Sequence, residues 1–299
     1  MAQVGLTQGW VAKRLPARPP RAHKGTFGRL LIVAGSLEYA GAALLAGLGA
    51  IRAGVGLACL ATPEAVGTRL LGVVPELTAM LLVEEAPGLT APAGWRRLAT
   101  EAPSFGALVI GPGLGRQPAT LRRARNFIGE LTHPTVVDAD ALVALSEVQR
   151  WWLPIKAPLV LTPHPGEFAR LTRMPDGEVL ADDDAKRAEA AQEAAARWHQ
   201  VVVLKGAHTV IASPDGELLR SDIATPALAT AGSGDVLAGV IGAFLAAGLT
   251  PFDAAGCGVA VHGAAGLLAE DRIGRAGVIA RDLANLLPTA IEQLRGKRA

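Results

Sequence analysis

The chain has 299 residues, enough for one large α/β domain or two small ones, with half of them hydrophobic and only 4% aromatic. A net charge of +2 and so few aromatic rings argue against a nucleic-acid partner, which would need a basic footprint or a base-stacking surface. Two distant cysteines, Cys59 and Cys257, form no CxxC pair, which argues against a disulfide framework or structural zinc and for free thiols in a reducing, cytoplasmic setting.

Residues 1–23 read as an N-terminal lead-in without the apolar h-region of a secretory signal, and residues 24–299 as a single domain. Within the lead-in, "PARPPR" (16–21) is stiff. The basic runs at 13–24 and 295–298 read as solvated ends. Strand-like and helix-like segments then alternate. "RLLIVAG" (29–35) and "VGLACLA" (55–61) predict strands, each followed by a helix, at 41–53 and about 63–71. Further strands are expected at 77–83, 106–111, 134–140, 157–163 and 200–206, with helical patterns at 117–130, 166–173 and 182–199. These strands are continuously apolar, as a parallel sheet covered on both faces requires. "HTVIASPDGELLRS" (208–221) reads as a hairpin turning at "PDG", and helices dominate from 234 onwards. The fold class is therefore α/β, a doubly wound, mostly parallel sheet with helices on both faces. The apolar run at 41–61 has Arg52 in its middle, and those at 236–249 and 254–269 fall short of the ~20 residues of a membrane span, so no membrane association is expected.

In such sheets ligands bind beyond the carboxyl ends of the strands, where the chemistry-bearing residues of this chain also fall. "GPGLGR" (111–116) allows close backbone approach to a ligand, but it lacks the GxGxxG spacing and Pro112 removes a donor; a plain strand-to-helix turn is the alternative. "VVDADAL" (136–142) sets Asp138 and Asp140 at a strand end, where they can hold Mg²⁺ or a ligand hydroxyl; Asp140 can equally cap the next helix. "LTPHPGEF" (161–168) fixes His164 between two prolines, aimed at a ligand or satisfied structurally, with Glu167 in the first turn of a helix. "VVLKGAHT" (202–209) puts Lys205 at a strand end, facing a phosphate or lying in a surface turn. "TAGSGD" (230–235) opens a very apolar helix with two glycines, a serine and a carboxylate. A helix start offers free N–H groups to an anion, and the plainer reading is an N-cap by Ser233 or Asp235. No Walker motif, HExxH or GxSxG occurs, so any phosphate site must use "AGSGD".

Taken in order, "KGTFGRLLIVAGS", "YAGAALLAGLGAIRAGVGL", "VIGPGLG", "VVDADAL", "LTPHPGEF", "VVVLKGAHTVIA" and "LATAGSGDVLAGVIGAFLAAG" resemble the ADP-dependent NAD(P)H-hydrate dehydratases over about residues 24 to 290. The resemblance implies a ribokinase-like fold and repair of hydrated NADH or NADPH. Phosphoryl transfer from ADP turns the ring hydroxyl into a leaving group, and NAD(P)H, AMP and phosphate result. It makes Asp235 the base and a substrate contact, and the backbone of Gly232, Ser233 and Gly234 the anion hole. Ala42, Gly113 and His164 map onto the hydrated-cofactor contacts, and Lys205, Gly206, Ala207, His208, Thr209 and Gly234 onto the nucleotide contacts. Ala231 stands where many relatives have glycine. Mg²⁺ is expected with the ADP phosphates, with no metal ligand assigned. The fused epimerase domain of some relatives is not expected, and a homo-oligomer, a tetramer, is. Two rivals share parts of the pattern: a sugar or vitamin-precursor kinase of the same fold, and a catalytically silent nucleotide sensor.

Overall fold

The computed structural model describes residues 4–70, 72–174 and 183–296. The expected helix ends at residues 71 and 182 lie outside the described residues, as do residues 1–3 and 297–299 of the two chain ends.

The first half forms β1 (Val4–Gly5), α1 (Gln8–Ala12), β2 (Arg29–Val33), α2 (Ala40–Ala53), β3 (Leu57–Pro63), α3 (Glu64–Leu70), β4 (Thr78–Leu82), β5 (Glu84–Ala86), β6 (Leu89–Thr90), α4 (Pro92–Glu101), β7 (Ala107–Ile110) and α5 (Pro118–Glu130). The second half forms β8 (Thr135–Val137), α6 (Asp140–Ser146), β9 (Leu159–Leu161), α7 (Pro165–Thr172), α8 (Asp184–Trp198), β10 (Val201–Leu204), β11 (Val210–Ala212), β12 (Leu218–Arg220), α9 (Ser233–Ala246), α10 (Pro251–Arg272) and α11 (Ala280–Leu294). The main sheet has 10 strands in the order β1-β12-β11-β10-β9-β8-β7-β2-β3-β4. From β10 to β4 all neighbours are parallel; β11 is antiparallel to both β10 and β12, which gives the expected hairpin.

Successive strand residues point to opposite faces, and both faces are covered. Leu30, Ile32, Val109, Val136, Val160 and Val203 pack into one core with residues of α2, α9, α10 and α11. Leu31, Leu108, Ile110, Val137, Leu161 and Leu204 pack into the other with residues of α4 to α8. Three features go beyond the sequence reading. The β5–β6 hairpin and α4 fill a stretch left unassigned. The segment before residue 24 carries β1, which adds an edge strand beside β12, and α1, whose neighbour Arg14 pairs with Asp253 at 2.7 Å. Helix α10 spans 22 residues, long and apolar enough by composition to cross a membrane, and 72% of its most apolar stretch is buried inside the fold.

The glycine- and alanine-rich composition is used between α2 and α9. A Cβ on Gly239 would lie 2.0 Å from the Ala46 carbonyl oxygen, and one on Gly49 would lie 2.3 Å from that of Val236. The two backbones touch, which fixes the height of α9 and of the residues at its start. Gly239→Ala is predicted to lower stability by about 1–3 kcal/mol, because the helices must separate to admit one methyl group. Chemical denaturation checks this, and an unchanged midpoint would mean that the contact is adjustable.

Candidate active site

The parallel strands β2, β7, β8, β9 and β10 deliver their carboxyl ends to one edge of the sheet. Beyond β8, Asp138 is 1% exposed and needs compensation, since a bare buried carboxylate is costly. It receives a hydrogen bond from Thr162 Oγ1 at 2.7 Å and an ion pair from Lys205 Nζ at 2.9 Å. Glu167, buried in the first turn of α7, has an oxygen 3.9 Å from the same ammonium. Burial pushes the Glu167 carboxyl up, and Lys205 only partly offsets this. Burial opposes the charge on Lys205, yet Asp138 and Glu167 hold it above its usual range. Lys205 is thus no surface lysine in a turn.

Asp140 and His164 take structural partners of their own. Asp140 does not cap α6. Ala139 holds the cap position at φ 50°, while the Asp140 carboxylate accepts from Gly115 N–H at 2.9 Å and Arg116 Nε at 3.0 Å, tying down the "GPGLGR" loop. His164 is the N-cap of α7. Its Nδ1 accepts from Gly166 N–H at 3.1 Å and Glu167 N–H at 3.3 Å, and Glu167 returns a bond from His164 N–H at 2.9 Å. The imidazole remains half exposed, and its Nε2 lies 3.5 Å from Oε1 of Glu167.

At the mouth of α9 the plain capping reading fails. Gly232, at φ 85°, is the cap residue and has no side chain to cap with. Ser233 is the first helical residue, and its Oγ lies 3.1 Å from Nε2 of His262, a buried ring whose pKa burial pushes down to about 4. The N–H groups of Gly234 and Asp235 have no acceptor among the described residues. The Asp235 carboxylate likewise has no hydrogen-bond donor among them. Burial, then Asp138, push its pKa up to about 7 against the pull of Lys205. Asp138, Asp140 and Glu167 each have a donor; of the four carboxylates Asp235 is the one without a hydrogen-bond donor among the described residues.

On one side of Asp235 opens a cavity of about 630 Å³, within the range of small-molecule sites. Lys205, Gly206, Ala207, Thr209, Ser233 and Gly234 line it, and Lys205 Nζ would lie 3.3 Å from a Cβ on Gly234. His208 is not among its lining residues; its Nδ1 pairs with Asp184 at 2.8 Å. The opposite wall, Ile223 to Thr230 with Leu237 and His262, was missed in the sequence, where these residues look like ordinary core. Ala42 and Gly113 meet away from this cavity: a Cβ on Gly113 would lie 2.9 Å from that of Ala42 and 2.5 Å from the Tyr39 carbonyl oxygen.

These features coincide with those of known proteins. The sequence model of the NAD(P)H-hydrate dehydratase family matches residues 30–289. The chain belongs to the NAD(P)H-hydrate dehydratase family. It is 37% identical over 284 residues to the ADP-dependent (S)-NAD(P)H-hydrate dehydratase of Bacillus subtilis, covering 94% of this chain and 95% of that protein. It is 41% identical over 289 residues to the bifunctional NAD(P)H-hydrate repair enzyme Nnr of Moorella thermoacetica, covering 97% of this chain and 54% of that protein. This family member thus spans about half the length of the bifunctional relatives it matches. The crystal structure of the ADP/ATP-dependent NAD(P)H-hydrate dehydratase from Bacillus subtilis, co-crystallised with ATP and Mg²⁺, superposes with a TM-score of 0.84 at 35% identity, covering 98% of this chain and 99% of that one. The expected ribokinase-like architecture is the one observed.

The raised pKa of Asp235 has a consequence for stability across this dehydratase fold. The folded state holds the proton up to about pH 7, whereas an unfolded aspartate releases it near ~3.9. Stability from this group is therefore full below that unfolded value and falls as pH rises to about 7. Asp235→Asn is predicted to match the parent in melting temperature below the unfolded value, to gain on it as pH rises, and to keep a constant advantage above about 7. Melting curves over this range check it, and a parallel pair of curves would refute the shift.

Proposed function

We propose that the chain is an ADP-dependent dehydratase, a lyase, that returns hydrated NADH or NADPH to NAD(P)H with release of AMP and phosphate. The observation that carries this reading is Asp235, an uncommitted carboxylate titrating near 7 in the first turn of α9 beside open N–H groups and Lys205. A plain hydratase-type site would need a base, but not an anion cradle next to a nucleotide-sized cavity.

In the proposed reaction ADP occupies the cavity with its terminal phosphoryl group at the α9 mouth. The ring hydroxyl of the hydrated cofactor, on the Ala42–Gly113–His164 side, attacks that phosphorus. The bond to the AMP oxygen breaks, a new P–O bond forms, and the hydroxyl proton passes to Asp235. The N–H groups of Gly234 and Asp235 and the Lys205 ammonium offset the charge on the transferring group, which is most of what phosphoryl transfer asks of a protein. The ring nitrogen lone pair then expels phosphate, and loss of a proton from the neighbouring ring carbon restores the dihydronicotinamide. Among the described residues no group of three or more His, Cys, Asp or Glu side chains is arranged to hold a metal ion. Asp138, Asp140 and Glu167 are also engaged by Lys205, Arg116 and the His164 N–H. The described residues therefore provide no protein cage for Mg²⁺. Magnesium usually binds through substrate phosphates and water, and no step here is assigned to it.

Hydrated NADH will be consumed, read as recovery of reduced-nicotinamide absorbance, only when ADP or ATP is present. Asp235→Asn will lose about 10²–10⁴-fold in kcat while binding ADP like the parent. Equal turnover without nucleotide would refute phosphoryl transfer, and near-parental kcat would refute the base. The rate must also rise with pH through about 7, because the base acts deprotonated. Asp138→Asn removes the neighbour that most raises this pKa after burial, so it should move the midpoint to lower pH whatever it does to the plateau. A midpoint that stays or rises would contradict the assignment.

A further inference from the structure

The nucleotide-side loop from Lys205 to Thr209 is held from behind by a side chain that no sequence motif singled out. Arg187, on α8, is 1% exposed. Its Nη1 donates to the Ala207 carbonyl at 2.6 Å, and its Nη2 donates to the carbonyls of Leu204 and Lys205, both at 3.1 Å. Asp184 Oδ1 lies 3.4 Å from Nη1, and among the described residues the buried Nε has no partner. Burial draws the guanidinium pKa down against the opposing pull of Asp184. A guanidinium placed so expensively and spent on main-chain oxygens is there to set a backbone conformation.

The peptide plane shows what that conformation does. In a trans peptide the carbonyl and the following N–H point in opposite directions. Carbonyls of Lys205 and Ala207 turned to Arg187 send the N–H groups of Gly206 and His208 the other way. The N–H groups of Gly206, Ala207, His208 and Thr209 all lack an acceptor among the described residues. Gly206, Ala207 and Thr209 line the cavity, whereas Arg187 does not. Gly206 completes the arrangement: it sits at φ 150°, and a Cβ there would lie 2.6 Å from Nη2 of Arg187. Loop and guanidinium are shaped to each other.

We infer that Arg187 is the positioning residue of the nucleotide half-site, orienting the Gly206–Thr209 amides toward the phosphates or base of a bound adenine nucleotide without touching it. This rests on the nucleotide reading of the cavity. The Lys205 ammonium would remain in its ion pair with Asp138 if Arg187 were removed, so the loss should fall on nucleotide affinity and spare the hydrated-cofactor side.

The test is calorimetric titration of the parent, Arg187→Met and Arg187→Lys with ADP, beside KM for hydrated NADH at saturating ADP and a melting curve for each. In Arg187→Met we expect ADP affinity to fall at least about tenfold, the scale of losing hydrogen bonds from a charged donor, with KM for hydrated NADH within about twofold of the parent. Arg187→Lys keeps the charge and some of the bonds, and should recover part of the loss. If the methionine variant does not fold, the lysine variant alone must show weakened ADP binding with an unchanged cofactor KM. Parental ADP affinity in a folded variant, or equal losses on both substrates, would overturn the role of Arg187. Absence of ADP binding in the parent would instead overturn the nucleotide reading itself.

Discussion

The ion pair between Lys205 and Asp138 is the contact on which the site depends. It joins the ends of β10 and β8, two strands separated in the sheet by β9, and it reaches Glu167 at the start of the helix that follows β9. Among the described residues the carboxylates of Asp138, Asp140, Glu167 and Asp235 converge here around the Lys205 ammonium. Such crowding is tolerable only if the charges are answered one by one. Asp138 is answered by Lys205 and Thr162, Asp140 by Arg116 and a loop N–H, and Glu167 by the backbone of His164. Asp235 has no such partner among the described residues, and burial, then Asp138, raise its proton affinity. The acid–base property of the site is thus a residue of the electrostatic arrangement around it.

The same arrangement explains how an anionic site can receive an anionic ligand. Three of the carboxylates have donors of their own, while N–H groups without an acceptor among the described residues present themselves from α9 and from the Gly206–Thr209 loop. Both sets are fixed by buried contacts. Helix α9 is seated on α2 through glycines whose backbones touch, and the loop is pinned by Arg187. Preorganised dipoles of this kind need no rearrangement as charge develops on a transferring group.

Much of the fold was legible because its central strands are buried on both faces and so read as unbroken apolar runs between turn residues. The ends of those runs marked Asp138 and Lys205, which pair beyond β8 and β10, whereas Asp235 was marked by the glycines at the mouth of an apolar helix. What stayed hidden has physical reasons. Whether His164 and Asp140 are structural depends on which hydrogen bond each makes, and sequence does not carry that choice: His164 caps α7, and Asp140 braces a loop 24 residues away. Ser233 looked like a cap because caps are commonly serine, yet a glycine with positive φ took that position. The wall from Ile223 to Thr230 is apolar like any core segment and becomes a ligand wall only through the path of the chain. Strands β5 and β6 are too short to show a period, and β1 earns its place only by pairing with β12. Arg187 lies in an otherwise ordinary amphipathic helix, where an arginine predicts an exposed side chain.

The central claim is that the ring hydroxyl leaves as part of a phosphate and does not depart directly as water. The most direct measurement places ¹⁸O in that hydroxyl and follows the label by mass spectrometry after one turnover with unlabelled ADP. The account predicts that the label is recovered in inorganic phosphate, one ¹⁸O for each NADH restored. Label found in solvent water, with unlabelled phosphate, would contradict it.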